Sequence, residues 1–159
     1  QNAAEGVNHG IKINMDMDIS EYLSAFVNLG ILKTEIKNWQ SRKDLEGRAQ
    51  AHAPERSYAL GLNWAPTSHT YLAIDFTGKS SFYYSDSHNN KSKSYVLTNL
   101  NLGYVKNNWN YELWARNIFD EYYSVRGFYF GNEAPNFIDT LYERHGDPRH
   151  IGLSIRYEF

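Results

Sequence analysis

From Ile151 to Phe159 the chain alternates without a break. Ile151, Leu153, Ile155, Tyr157 and Phe159 are separated by Gly152, Ser154, Arg156 and Glu158. A period of two puts the apolar set on one face of a strand and the polar set on the other. The same pattern recurs upstream. Ile11, Ile13, Met15, Met17 and Ile19 interleave with Lys12, Asn14, Asp16 and Asp18. Val96, Thr98, Leu100, Leu102 and Tyr104 interleave with Leu97, Asn99, Asn101 and Gly103. Trp109, Tyr111, Leu113 and Ala115 interleave with Asn110, Glu112, Trp114 and Arg116. Such a chain must fold into a sheet with one apolar and one wet face.

The alternation predicts strands at about 7–18, 21–36, 56–65, 69–84, 94–106, 109–125 and 149–159. No helical window competes, and 37–55 holds a short helical turn at most. Three connections are tight: Asp18 to Glu21, Ala65 to Ser68 and Lys106 to Trp109. Their Asn, Asp, Ser and Pro content is turn chemistry. The other three, 37–55, 85–93 and 126–148, are long and polar. Short and long connections alternate strictly, as in outer-membrane barrels with short periplasmic turns and long extracellular loops.

Which face is inside follows from the carboxylates. Asp16 and Asp18 on the inner face of a soluble strand would be costly without partners. A water-filled lumen solvates them, so the fold class is an all-β antiparallel up-and-down meander of about seven transmembrane barrel strands. The mean hydropathy of −0.63 agrees, since half of each barrel strand faces water. Aromatic residues make up 16 % of the 159 residues. They predict two interfacial girdles. Trp64, Tyr71, Tyr104, Trp109, Tyr157 and Phe159 mark the short-turn end. Phe82, Tyr83, Tyr84, Tyr95, Tyr122 and Tyr123 mark the other.

A complete bacterial barrel has an even strand number. Seven strands, with no basic start or apolar stretch in Gln1 to Gly10, predict a C-terminal portion of a larger barrel. Two alternatives compete. One is a complete small barrel with a structural or adhesion role, its eighth strand hidden in the first residues or in Phe128–Asp139. The other is a soluble lipocalin-like binder with an apolar interior.

Chemistry-bearing motifs are few. Absence of cysteine removes disulfides, thiolate metal sites and thiol nucleophiles. A net charge of −2 provides no field for nucleic acid. The scattered histidines lack metal-site spacing. No nucleophile elbow stands out, and an enzyme is not expected. Arg116, Asn117 and Asp120 form the sharpest polar cluster. They predict a bulge or backbone-bonding device, with Arg116 pairing a carboxylate such as Glu112. Asp147-Pro148-Arg149 predicts a turn entering a strand. In the long loops, Trp39, Arg42, Arg48, Arg56, Tyr129, Asn132, Asn136, Tyr142 and Arg144 are candidate ligand contacts.

Trp114-Ala115-Arg116-Asn117-Ile118-Phe119-Asp120-Glu121-Tyr122-Tyr123 resembles the Arg-Asn-Leu-Phe-Asp-x-x-Tyr signature of TonB-dependent outer-membrane receptors. Ile118 stands where Leu is commoner. Gly146-Asp147-Pro148-Arg149 is similar to the Gly-x-Pro-Arg that leads into that family's final strand. Pro54, Asn99, Gly6 and Gly10 also fit. The resemblance covers essentially the whole chain. It implies a 22-stranded barrel in the cell outer membrane, of which this chain is the last seven strands. It also implies a plug domain, TonB and an iron-siderophore-type ligand as partners. Plug and TonB box are absent from these residues. Arg116, Asn117, Phe119, Asp120, Tyr123, Gly146, Pro148 and Arg149 would be structural. Ile155, Tyr157 and Phe159 would form the signal read by the barrel-assembly machinery. The resemblance implies no cofactor.

Overall fold

The computed structural model describes residues 5–159. Nine strands form two sheets. The large sheet runs β1 (Glu5–Ser20), β2 (Leu23–Asn38), β3 (Arg56–Thr67), β4 (Thr70–Lys79), β5 (Tyr95–Lys106), β6 (Trp109–Arg116) and β9 (His150–Tyr157). Every neighbouring pair is antiparallel. A separate hairpin joins β7 (Ser124–Phe130) to β8 (Thr140–His145). One 3-10 turn, Lys43–Leu45, breaks loop A, residues 39–55. Loop B is 80–94 and loop C is 117–149, which contains the hairpin.

Register carries the alternation across the whole sheet. Met17, Ala25, Leu62, Ile74, Leu100, Ala115 and Ile151 stand side by side in one rung. The next rung is Leu23, Trp64, Leu72, Leu102, Leu113 and Leu153. One residue over, the opposite face carries Asp18, Ser24, Asn63, Ala73, Asn101, Trp114 and Gly152. The apolar face has no cover: Leu113 is 50 % exposed and Leu153 63 %. A lipocalin-like interior is therefore overturned, because these leucines enclose no core. The polar face is troughed instead. Asn28, Leu32, Ala59, Thr77, Tyr95 and Leu97 of that face line a mostly apolar trough of about 860 Å³ across β1–β5.

On the polar face, three aromatic rings lie over cross-strand glycines. Phe26 covers Gly61, Tyr71 covers Gly103 and Trp114 covers Gly152. Each glycine leaves the space that the ring fills, and each ring packs where the glycine has no side chain. Tyr71 therefore belongs to the polar face and not to the short-turn girdle. Three others of that girdle cluster at the last strand, with Trp109 4.8 Å from Tyr157 and Tyr157 5.0 Å from Phe159. Asn108 holds the end of β9: its Nδ2 donates to the Glu158 carbonyl at 2.7 Å.

Three expectations need correction. The strand predicted at 109–125 stops at Arg116, because Asn117 and Asp120 take positive φ angles of 48° and 56°. Strands cannot continue through that conformation. The eighth strand sought in Phe128–Asp139 is part of the hairpin and does not join the wall. Within the described residues the large sheet is open, with β1 and β9 at its edges. An eighth strand in the first four residues lies outside the described ones. Two members also leave the upper girdle: Phe82 and Tyr84 are buried inside the loop layer.

Candidate functional site

The Arg116–Tyr123 and Gly146–Arg149 motifs fold against each other at the top of β6. Asn117 is 4 % exposed and is the hub. Its backbone N–H donates to Asn99 Oδ1 at 3.1 Å. Its Nδ2 donates to the carbonyls of Glu121 and Asp147, at 3.0 and 3.1 Å. Its Oδ1 accepts from Glu121 N–H at 2.8 Å. Asn suits this post because it tolerates the left-handed region and both donates and accepts. Asp120 Oδ1 accepts from the Arg149 backbone N–H at 2.8 Å, which ties the turn to the entry of β9. Arg149 Nη1 reaches the Ile118 carbonyl at 3.5 Å. Tyr123 lies over Gly146 and 4.6 Å from Tyr95. Pro148 precedes the strand by two residues, where its missing N–H breaks no ladder bond. Phe119 is 76 % exposed.

Arg116 does not pair with Glu112. Four residues along a strand span about 13 Å, beyond the reach of an ion pair. Among the described residues the ion pairs are Lys37–Glu35, Arg42–Asp44 and Arg48–Asp86.

The loops form a second assembly above the sheet. Arg48 is its centre, with a side chain 8 % exposed. It donates to the carbonyls of Ser85 and His88, to Asp86 and to Asn89, at 2.8–3.1 Å. Its guanidinium also sits 4.4 Å from the Tyr83 ring centroid, and Lys91 approaches that ring at 4.2 Å. Arg48 is thus committed to joining loops A and B. Loop A in turn completes β2 above the end of β3: Ile36 N–H donates to the Arg48 carbonyl and Leu32 N–H to that of Glu55. Leu45 and Ile36 are buried beneath it.

Loop B carries the hairpin. Tyr84 is 2 % exposed, its ring lies against Gly127, and its hydroxyl donates to Glu143. Burial first, and the Glu143 carboxylate second, push the phenol up to about 12. The Tyr129 ring lies 5.8 Å from that of His88, tilted by 50°. Trp39 is half-buried and its N–H donates to Glu46. Arg42 pairs with Asp44 and holds that carboxyl below its ordinary range. Tyr142 donates to Glu133 at 3.1 Å, and Arg144 stands directly opposite Arg126. Arg126 and Glu143 were not among the residues singled out from sequence, and Tyr84 was expected in a girdle rather than in the loop core. Only the packing of loop B on the hairpin brings them together, and sequence spacing carries no sign of that.

Comparison with known proteins places this architecture. The family described as TonB dependent receptor-like, beta-barrel matches residues 1–118. The siderophore receptor PiuA from Acinetobacter baumannii superposes with a TM-score of 0.79 at 15 % identity, covering 98 % of this chain and 22 % of PiuA. The ferric yersiniabactin uptake receptor FyuA from Yersinia pestis gives 0.80 at 15 % identity, covering 99 % and 24 %. The closed form of the ferric-catecholate import receptor Fiu from E. coli K12 gives 0.72 at 20 % identity, covering 96 % and 21 %. The chain spans less than a quarter of each of these receptors. At such identities they show a shared fold: a seven-stranded piece of receptor barrel wall with its loops. Barrels of this kind are outer-membrane transport receptors. The chain belongs to the TonB-dependent receptor β-barrel family.

Proposed function

We propose that this chain is the C-terminal part of an outer-membrane receptor that imports a scarce, bulky nutrient, a ferric siderophore above other classes. The observation that carries the reading is the two-faced open sheet. Its apolar rungs are exposed or half-buried with no layer of this chain packed over them, while its opposite face floors a trough. That division suits lipid outside and a plug domain inside. The short-turn end would be periplasmic and the loop layer extracellular. Ligand capture by the loops would precede plug movement driven by TonB. Ile155, Tyr157 and Phe159, exposed on the apolar edge, are proposed to engage the barrel-assembly machinery. The wall does no chemistry of its own.

The siderophore assignment is supported by the nature of the structural neighbours, which are receptors for siderophores and ferric chelates. The test is ⁵⁵Fe uptake by iron-starved cells from a panel of ferric chelates. Deleting the receptor at its native length should abolish uptake from at least one. Unchanged uptake from every chelate would overturn the iron assignment.

A further inference from the structure

The apolar face of the large sheet has a sharp upper limit. It carries no charged residue from Ile11 to Ile19, from Ala25 to Ile31 or from Tyr58 to Trp64. Ile11 to Ile19 spans about 26 Å of strand, close to the height of a barrel's lipid-facing band. At the long-loop end the same face turns basic. Arg56 shares the rung of Ile11 and Ile31, and the next rung on that face sets His9 opposite Lys33. All three are exposed, and neither Arg56 nor Lys33 has an ion-pair partner among the described residues. Glu35, one rung further out, is taken by Lys37 at 2.6 Å. Beside Arg56 a cavity of about 430 Å³ opens over the ends of β3, β4 and β5, with Tyr58, Ser80, Ser94, Val96 and Glu121 in its walls. The Tyr58 ring lies over Gly78. Ser80 Oγ accepts from the Arg56 backbone N–H at 3.0 Å, which leaves its hydroxyl proton to donate.

The geometry points to a docking site for the phosphorylated headgroup of an outer-leaflet glycolipid, formed by Arg56, Lys33 and His9. It rests on the outer-membrane reading proposed above. The headgroup phosphates face Arg56 and Lys33, and the Ser80 and Ser94 hydroxyls donate to them. The acyl chains lie along Ile31, Leu60 and Phe76, the apolar residues directly below. Charge selects the occupant. A zwitterionic headgroup offsets its one phosphate with its own amine, whereas a bis-phosphorylated headgroup brings net negative charge to unpaired cations. Free phosphate would leave the adjoining apolar rungs uncovered. Glu121 repels an anion from the far side of the cavity, so the phosphates sit on the side of Arg56 and Lys33.

The test uses the receptor at native length, purified in neutral detergent, with labelled diphosphoryl lipid A as the probe and the same lipid without its phosphates as control. The phosphorylated form should bind at least about tenfold more tightly. Arg56→Ser combined with Lys33→Ser should remove that preference. Lys106→Ser should leave it unchanged, since Lys106 lies on the same face at the short-turn end. Arg56→Lys keeps the charge and should keep most of the preference, which separates loss of the site from misfolding. Equal binding of the two lipids overturns the inference. So does an undiminished preference in the double variant, an equal loss in Lys106→Ser, or a loss in Arg56→Lys as complete as in Arg56→Ser. Competition by inorganic phosphate as strong as by the lipid overturns it too, by reducing the site to one for a free anion. Chelate-dependent iron uptake without the lipid preference sinks this site and leaves the import reading standing. The lipid preference without such uptake does the reverse.

Discussion

The wall and the loop layer of this molecule are stabilised by opposite means. In the wall, the apolar rungs of β1–β6 and β9 are exposed or half-buried, with Ala25 and Ala115 buried among them. In the loop layer, Leu45, Phe82, Tyr84, His88 and Ser92 are buried, and Ile36 is covered where loop A crosses β2. The small hydrophobic core of the chain therefore lies in the loop layer, beyond the long-loop end of the sheet. The wall is held by its ladder hydrogen bonds and leaves its apolar face to be covered from outside the chain, whereas the loops follow the rules of a soluble protein. Substitutions that matter in one region should be mild in the other.

The largest effect should come from charging the apolar face. Leu62 and Asn63 are adjacent in β3 and point to opposite faces. Leu62→Arg should cost about 2–4 kcal/mol, as for a cation near the midplane of an outer-membrane barrel. Asn63→Arg, into the lumen, should change stability by less than about 0.5 kcal/mol. Heat-modifiable migration of the barrel in detergent reads both. Equal losses would break the assignment of faces.

Next in size is Arg48→Met. It leaves the Ser85 and His88 carbonyls and the Asp86 carboxylate without their donor. Losing bonds to a charged, buried group should cost about 2–3 kcal/mol. The loss should appear as protease cleavage within residues 80–94, with the wall unaffected. A wall that unfolds together with the loops would show that the two regions are one cooperative unit.

The wall was legible in sequence because its signal is local. A period of two needs only the next residue, and strict alternation of short and long connections needs only counting. Asn117 and Asp120 were visible as a polar cluster, and Asx chemistry explains why they end β6. The error of extending that strand to residue 125 came from reading Tyr122 and Tyr123 as wall aromatics. Tyr123 lies over Gly146 instead, a contact that spans 23 residues of chain. The hairpin was hidden for a similar reason. Ser124 to Phe130 alternates weakly, and its partner strand lies beyond a nine-residue connection. Arg48 read as a ligand contact because an arginine in a loop has no local mark of burial. Its acceptors sit 37–41 positions away.

Within the wall, the ring-over-glycine pairs offer a finer test. Gly103→Ala places a methyl group where the Tyr71 ring lies. The ring must leave its rotamer, at a cost of about 1–3 kcal/mol, as for overpacking in a core. Tyr71→Ala combined with Gly103→Ala should recover part of that loss, measured by thermal unfolding in detergent. No recovery would mean that the backbone of β5, and not the ring, resents the methyl.

The smallest effect tests the tie between loop B and the hairpin, and pH supplies its signature. Tyr84→Phe removes one hydroxyl that donates to Glu143, worth about 1 kcal/mol. The folded phenol is pushed up to about 12 by burial and then by that carboxylate. An unfolded tyrosine ionises near pH 10. A folded value above the unfolded one stabilises the protonated, folded form. That contribution is complete below pH 10 and disappears as pH rises through 12. The stability gap between the native protein and Tyr84→Phe should therefore be constant below pH 10 and close above it. Alkaline absorbance titration of the loop tyrosines should lose its last phase in the variant. No gap at any pH would assign the tie to packing of the ring against Gly127 rather than to the hydroxyl. The tie between loop and hairpin would then be apolar, like the rest of the loop core.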